Sequence, residues 1–328
     1  MTRPAGPQSA GGSQPEPEPE PAARRLRFGL VGTGHWAQIT HAPALASTAG
    51  IEFAAVWGRN ADAAAALAAS YDVPAHRDFD ALLARVDAVV FSVPPDVQSE
   101  LAIRAAQAGK HLLLEKPIAT SQAGAEALAQ SVADAGVASV VFFTARFQPD
   151  IRAWLAQVSG QAGWLGASAA WLGTSLLESN PFNTPWRREK GGLWDLGPHV
   201  VSLLWAALGP VRSVTADAGP SDVAHLVLHH DSGASSVVTV TQAASEAAEG
   251  FDLQVWGERG RSSLPPEGAS PRAAARVALT ELAENARSGR TEHPCDVRFG
   301  RDVVRVLADA QRQIDALPRG GPALQREQ

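Results

Sequence analysis

Residues 26–37 read LRFGLVGTGHWA: an apolar run, a glycine turn and the opening of a helix, in that order. Gly32, Gly34 and Ala37 have the G-x-G-x-x-G/A spacing of a dinucleotide-binding turn, in the strand–turn–helix context that the spacing requires. Gly32 permits the tight turn, and Gly34 lets the backbone approach a pyrophosphate. Ala37 keeps the helix close to the strand, whose following helix N-terminus offers N–H groups and a positive dipole end to phosphates. Thr33, His35 and Trp36 complete the turn as candidate cofactor contacts.

Outward from this stretch, apolar runs alternate with helical segments. IEFAAVWGRN (51–60), DAVVFSVPP (87–95), HLLLEKP (111–117) and ASVVFFTARF (138–147) read as strands. Helices fit between them, over the alanine-rich residues 61–72, over Gln98–Ala108 and near Ser121–Ala135; the helix after the glycine turn extends to about Ala49. Strands apolar on both faces and alternating with helices imply a parallel sheet covered on both sides. The expected fold class is therefore α/β, with a doubly wound Rossmann domain over residues 25–146.

The second half is patterned differently. GASAAWLGTSL (166–176), RSVTADA (212–218), DVAHLVLHHD (222–231), GASSVVTVTQAA (233–244) and GFDLQVWGERG (250–260) are strands joined largely by turns. One helix near Leu193–Leu208 interrupts them; a helix over about Pro149–Val158 precedes them, and two more over Pro271–Arg287 and Arg298–Leu317 close the chain. Residues 147–328 thus form an α+β domain on a mostly antiparallel open sheet, suited to substrate binding and oligomer contacts. Residues 1–24, with PEPEPEP around Glu16, Glu18 and Glu20, lack the aliphatics to pack a core and form an extended tail.

Composition narrows the class further. The chain has 328 residues, 45% hydrophobic and 19% charged, enough to bury two cores. Its net charge of −6 argues against a nucleic-acid or anionic-membrane partner. A single cysteine, Cys295, excludes an intramolecular disulfide and a Cys-rich zinc site and fits a reducing cytoplasm. No run of 18 apolar residues is present, and the start lacks the apolar core of a secretion signal, so a cytoplasmic protein is expected.

Cofactor choice turns on the end of the second strand. Glu52 lies at its beginning, whereas a ribose-binding acid belongs at its carboxyl end. That end reads Val56-Trp57-Gly58-Arg59-Asn60, without a carboxylate. Gly58 leaves room, and the fork of Arg59 suits a 2′-phosphate, which favours NADP(H) over NAD(H). Arg59 stacking on the adenine instead would suit either cofactor.

Two further motifs carry chemistry. Pro94 and Pro95 end the run DAVVFSVPP, and Glu115-Lys116-Pro117 ends an interior strand where open α/β sheets bind ligands. A lysine there is expensive to bury without a purpose. GGLWDLGPH (191–199) sets Asp195 and His199 four apart, on one helix face. A carboxylate beside a histidine favours the imidazolium and orients the ring for acid–base work, although a helix-capping Asp and an incidental His would look the same.

Together GTGHWA, DAVVFSVPP, AGKHLLLEKPIA, RFQP, GGLWDLGPH and LQVWGERG resemble the glucose–fructose oxidoreductase, inositol dehydrogenase and rhizopine-catabolism (Gfo/Idh/MocA) oxidoreductases, over residues 26–317. The resemblance implies NAD(P)-dependent hydride transfer between nicotinamide and a sugar, sugar derivative or other cyclic alcohol or ketone. It places Lys116, Asp195 and His199 around the reacting carbon: His199 moving the hydroxyl proton, Asp195 orienting it, and Lys116 holding the substrate oxygen. Glu115 and Lys116 join Pro94 among its cofactor contacts. Where such enzymes often carry a histidine after the proline turn of the fourth strand, this chain has Gln98. A non-catalytic dinucleotide-binding sensor on the same fold is the rival reading.

Trp186-Arg187-Arg188 is the cluster placed at the substrate mouth, with Trp186 and Arg187 as substrate contacts. His225, His229 and His230 lack the carboxylate or cysteine spacing of a metal site, and no metal is expected. The open sheet makes a homo-oligomer plausible.

Overall fold

A computed structural model describes residues 1–2, 24–266 and 268–318. The tail over residues 1–24 lies, apart from its ends, outside the described residues. Six strands form the first sheet: β1 (Leu26–Val31), β2 (Ile51–Trp57), β3 (Ala75–His76), β4 (Ala88–Phe91), β5 (His111–Glu115) and β6 (Ser139–Phe142). Their order is β3-β2-β1-β4-β5-β6 and every pairing is parallel. The order reverses between β1 and β4, which opens a crevice at the carboxyl ends of those two strands. All of β4 and β6 is buried, as strands covered on both faces must be.

The helices between these strands begin at recognisable caps. Asn60 accepts hydrogen bonds from the Asp62 and Ala63 amides to start α2 (Ala61–Ala69), and the Ser121 hydroxyl accepts from the Gly124 amide to start α5 (Gln122–Ala135). Pro95 occupies the first position of α4 (Pro95–Gln107), where its missing N–H costs nothing. The helix after the glycine turn opens with a π-helical stretch, Ala37–His41, before α1 (Ala42–Ser47), and stops short of Ala49. In this first half two strand or helix elements escape the sequence reading: β3 is two residues long and α3 (Phe79–Leu83) five, too short for periodicity to register.

A 3₁₀ turn, Thr144–Phe147, and α6 (Pro149–Ser159) lead to the second sheet. Its strands are β7 (Trp164–Leu172), β8 (Val211–Ala218), β9 (Ala224–His230), β10 (Ser235–Thr241), β11 (Gly250–Gly257) and β12 (Gly260–Ser263), in the order β12-β11-β7-β10-β9-β8. Only β7 and β10 pair in parallel. The helix expected near Leu193–Leu208 is present: α7 (Pro185–Asp195) is kinked at Gly191, and from there the helical backbone continues through Leu196 into α8 (Gly197–Leu208). The last helices return to the first sheet: α9 (Pro271–Ser288) packs on α1, β5 and β6, and α10 (Val297–Asp315) bridges α5 and β8. Leu165, Val237 and Trp256 stand exposed on the second sheet.

Candidate active site

The glycine turn is shaped by the absence of side chains. Gly32 has φ +120°, and a Cβ there would sit 2.1 Å from the Ser92 carbonyl oxygen, so only glycine fits. Its amide donates to the Trp57 carbonyl at 2.9 Å, which ties the turn to the end of β2. A Cβ on Gly34 would meet nothing within 4 Å: the turn leaves an open cradle before the helix, of the kind a pyrophosphate fills. Gly58 is buried beside Thr33, whose Cγ2 would be 2.8 Å from an added Cβ, and Arg59 is exposed at the strand end. Pro94, half-buried, borders the crevice from the β4 side. These features fit a dinucleotide.

Glu115, expected among the cofactor contacts, is engaged elsewhere. Its Oε1 accepts from Trp36 Nε1 at 2.6 Å and lies 2.7 Å from His41 Nε2, so it braces the helix that carries the glycine turn. The carboxylate is drawn inward because two ring nitrogens of that helix face it. Buried Gln98 forms a reciprocal amide pair with the Glu115 backbone, at 2.8 Å in each direction, and fixes the end of β5.

From that end Lys116 reaches across to the second half of the chain. Its Nζ donates to Asp195 Oδ1 and to the Asp195 carbonyl, both at 2.7 Å. The other carboxylate oxygen, Oδ2, accepts from Arg187 Nε at 2.7 Å and from Gln242 Nε2. Burial alone would raise the Asp195 pKa, but the charges of Lys116 and Arg187 and their hydrogen bonds hold it below the usual carboxylate range. Arg187 also lies over the rings of Phe182 and Trp186, at 5.4 and 4.9 Å, which places Trp186 beside the cluster. Arg188 turns away, onto Asn183.

The expected Asp195–His199 partnership is not made. Both Asp195 oxygens are taken, by Lys116, Arg187 and Gln242, so neither is left for His199 although the helical backbone runs on through Leu196. Nor is the imidazolium favoured: burial, with Lys116 and Arg187 adding to it, pushes the His199 pKa well below its ordinary value and outweighs the opposite pull of Asp195. Buried Nδ1 of His199 has no partner among the described residues, and its ring lies 5.5 Å from Trp171, itself stacked on Phe251 at 4.4 Å. A neutral imidazole is a proton acceptor in waiting.

Three participants were not singled out from sequence. Phe182 packs against His35 (5.2 Å) and Trp36 (5.9 Å) as well as Arg187, bridging the glycine turn and the Asp195 cluster; one aromatic ring in a loop gives no signal of that. Gln242 follows β10, and a polar residue ending a buried strand was the available clue. Asp222, in the turn before β9, accepts from the amides of Gly192, Gln242 and Ala243 and from the Thr241 hydroxyl. The histidines of β9 serve the sheet: His225 bonds Thr239, and His230 bonds the Gly209 carbonyl and Ser236. Among the described residues no group of three or more His, Cys, Asp or Glu side chains could hold a metal ion, and no helix is long and apolar enough to cross a membrane.

Residues 26–143 match the oxidoreductase family model for the GFO/IDH/MocA NAD-binding Rossmann fold, and residues 156–263 match the GFO/IDH/MocA C-terminal domain. The chain belongs to this oxidoreductase family. It is 29% identical over 252 residues to inositol 2-dehydrogenase of Rhizobium meliloti, covering 72% of this chain and 74% of that protein. It is 35% identical over 127 residues to 4-carboxy-2-hydroxymuconate-6-semialdehyde dehydrogenase of a Sphingobium species, but spans only 40% of that protein's length and 38% of its own. The fold of UDP-N-acetylglucosamine 3-dehydrogenase from Acidithiobacillus ferrooxidans superposes with a TM-score of 0.75 at 22% identity, over 89% of this chain and 99% of that one. GenD2 from gentamicin A biosynthesis, in complex with NAD, gives 0.77 at 21% identity over 92% and 97%.

Proposed function

We propose that this family member is an NADP(H)-preferring oxidoreductase that moves hydride between nicotinamide and a hydroxyl-bearing carbon of a sugar, sugar derivative or other cyclic alcohol. The observation that carries the reading is Lys116 anchored on buried Asp195 beside a neutral His199. Bound NADP would supply the hydride acceptor or donor, held at the turn Gly32–Trp36 and by Gly58, Arg59 and Pro94, with Lys116 next to it. Two of the Lys116 donors are spent on Asp195, leaving one for the substrate oxygen, where it stabilises the charge that develops as the O–H bond breaks. His199 accepts that proton in the oxidative direction and returns it in the reductive one. Asp195 orients Lys116 rather than His199, and Trp186 and Arg187 border the substrate. The names of the inositol 2-dehydrogenase and the UDP-N-acetylglucosamine 3-dehydrogenase among the similar proteins support a polyol or sugar ligand.

Preference for NADP rests on exposed Arg59 and on the lack of a carboxylate at the end of β2. In the same reading, residues 25–146 carry the cofactor and 147–328 the substrate pocket, the protein works in the cytoplasm, and a second copy docks on the exposed face holding Val237 and Trp256. Nicotinamide absorbance followed with a panel of polyols and keto-sugars tests the proposal. Turnover with at least one member, faster with NADP(H), is expected; cofactor binding without turnover on any member would make the chain a sensor.

A further inference from the structure

We infer that Gln242 is a positioning residue that holds the Asp195 carboxylate on Lys116 and off His199, with Asp222 as the clasp that sets Gln242 in place. The inference rests on the acid–base reading above. Gln242 is 2% exposed, and every polar atom it has is committed. Its Nε2 donates to Asp195 Oδ2, its Oε1 accepts from the Ser175 amide at 3.2 Å, its own amide donates to Asp222 Oδ2 at 2.8 Å, and its carbonyl accepts from Leu176 at 3.0 Å. Because Oε1 is fixed by a backbone N–H, the amide has one orientation, with the donor facing Asp195. The same Asp222 oxygen takes the Gly192 amide at 2.8 Å, so one carboxylate joins the end of β10 to α7 and brings Gln242 and Asp195 together.

The double glycine of GGLWD exists for this junction. Gly191 has φ +63°, and a Cβ on Gly192 would lie 2.7 Å from the Thr241 Cα, so neither place admits a larger residue without parting helix from strand. On the other side, a Cβ on Gly173 would sit 2.3 Å from Gln242 Oε1. Arg187, the other donor to Oδ2, stands on the first turn of α7 and is partly exposed, at 18% of its side chain, so the buried amide is the stiffer restraint. The charged groups acting on His199 are Lys116 from the end of β5, Arg187 from the first turn of α7 and Asp195 from its end; of these only Asp195 pulls toward the imidazolium. Without Gln242 the Oδ2 oxygen keeps only the partly exposed Arg187, so the carboxylate can turn toward the histidine four residues on, and His199 then titrates at higher pH.

The test uses Gln242→Met, of equal length without a donor, and Gly173→Ala, which displaces the amide without removing it. Two readouts apply to the full chain: the acid limb of the kcat profile, and the His199 imidazole titration followed by NMR without substrate. Both should move to higher pH in both variants, while kcat falls about 10-fold in Gln242→Met, as for a lost hydrogen bond to a charged group, with little change in KM. Should Gln242→Met fail to fold, Gly173→Ala carries the same test. If the titration and the limb stay where wild type has them, even with a lower melting temperature, Gln242 is merely structural and the inference is wrong. A wild type that turns over no substrate refutes the proposed function instead, and leaves the imidazole titration to judge Gln242.

Discussion

Gly32 and Gly34 shape their end of the crevice by lacking side chains, whereas Lys116, Arg187, Asp195 and Gln242 shape theirs by filling it. The first arrangement is local: one strand, one turn and one helix within a dozen residues produce the cradle. The second converges from segments up to 126 residues apart in number, Lys116 to Gln242, and each buried charge in it is met by an opposite charge or a donor. A cradle of backbone tolerates no side chain where the strand ends close in, as at Gly32 against the Ser92 carbonyl, and leaves open the place a ligand takes, as at Gly34. A cluster of charges tolerates no missing partner, because the charge left behind is stranded in a medium that solvates it poorly.

The sharpest way to break the cluster is Lys116→Ala. It should lower kcat about 10²–10³-fold by removing a donor at the developing charge, and cost about 3 kcal/mol of stability by uncovering Asp195. Turnover and thermal unfolding read the two losses together; intact stability would show that Arg187 and Gln242 suffice for Asp195. At the cradle's far rim, Arg59→Ala should raise the Kd for NADPH roughly 10- to 100-fold and that for NADH far less, since only the first carries a 2′-phosphate. Equal effects on both dinucleotides would remove the basis for NADP preference.

Gly34→Ala sharpens the comparison from the other side. Nothing protein-borne lies within 4 Å of the new methyl, so the melting temperature should hold, while cofactor affinity falls about 10-fold through steric conflict. Gly32→Ala would instead press on the Ser92 carbonyl and lower stability as well. An affinity unaffected in Gly34→Ala would mean that the phosphates lie elsewhere.

The smallest effect belongs to the clasp between α6 and α9, where Arg152 and His293 meet Glu281 and hold its pKa down to about 2 although burial opposes them. A depressed carboxylate stabilises the fold fully above its unfolded value, and the contribution fades as pH falls toward the folded one. Melting scans of wild type against Glu281→Gln should therefore show a gap that is largest above pH 4.5 and closes toward about pH 2. A gap independent of pH would assign the difference to packing.

The same contrast governs what the sequence could reveal. The glycine turn, the apolar strands and the parallel, doubly covered character of the first sheet were legible because their causes lie within short windows: spacing, caps and runs buried on both faces. β3 was not, since two residues carry no period, and its place beside β2 is fixed by the fold around it. In the second half most strands and the helix over 193–208 were readable, but the helical spacing of Asp195 and His199 suggested a pairing that Lys116, Arg187 and Gln242 pre-empt. Lys116, Asp195 and His199 stand in recognisable motifs. Phe182, Asp222 and Gln242 do not, for their roles arise only when α7 closes on β10 and a loop of the second half meets the glycine turn.

The most direct measurement is turnover of His199→Ala with the best substrate of the panel, set beside its NADPH affinity. A neutral imidazole acting as the proton acceptor predicts a fall of about 10²–10⁴-fold in kcat, the usual share of general acid–base catalysis, with cofactor binding unchanged because the glycine turn belongs to β1 and the helix after it and His199 to α8. Near-normal turnover in that variant would contradict the account, for then the proton leaves by another route and the Lys116–Asp195 cluster works without His199.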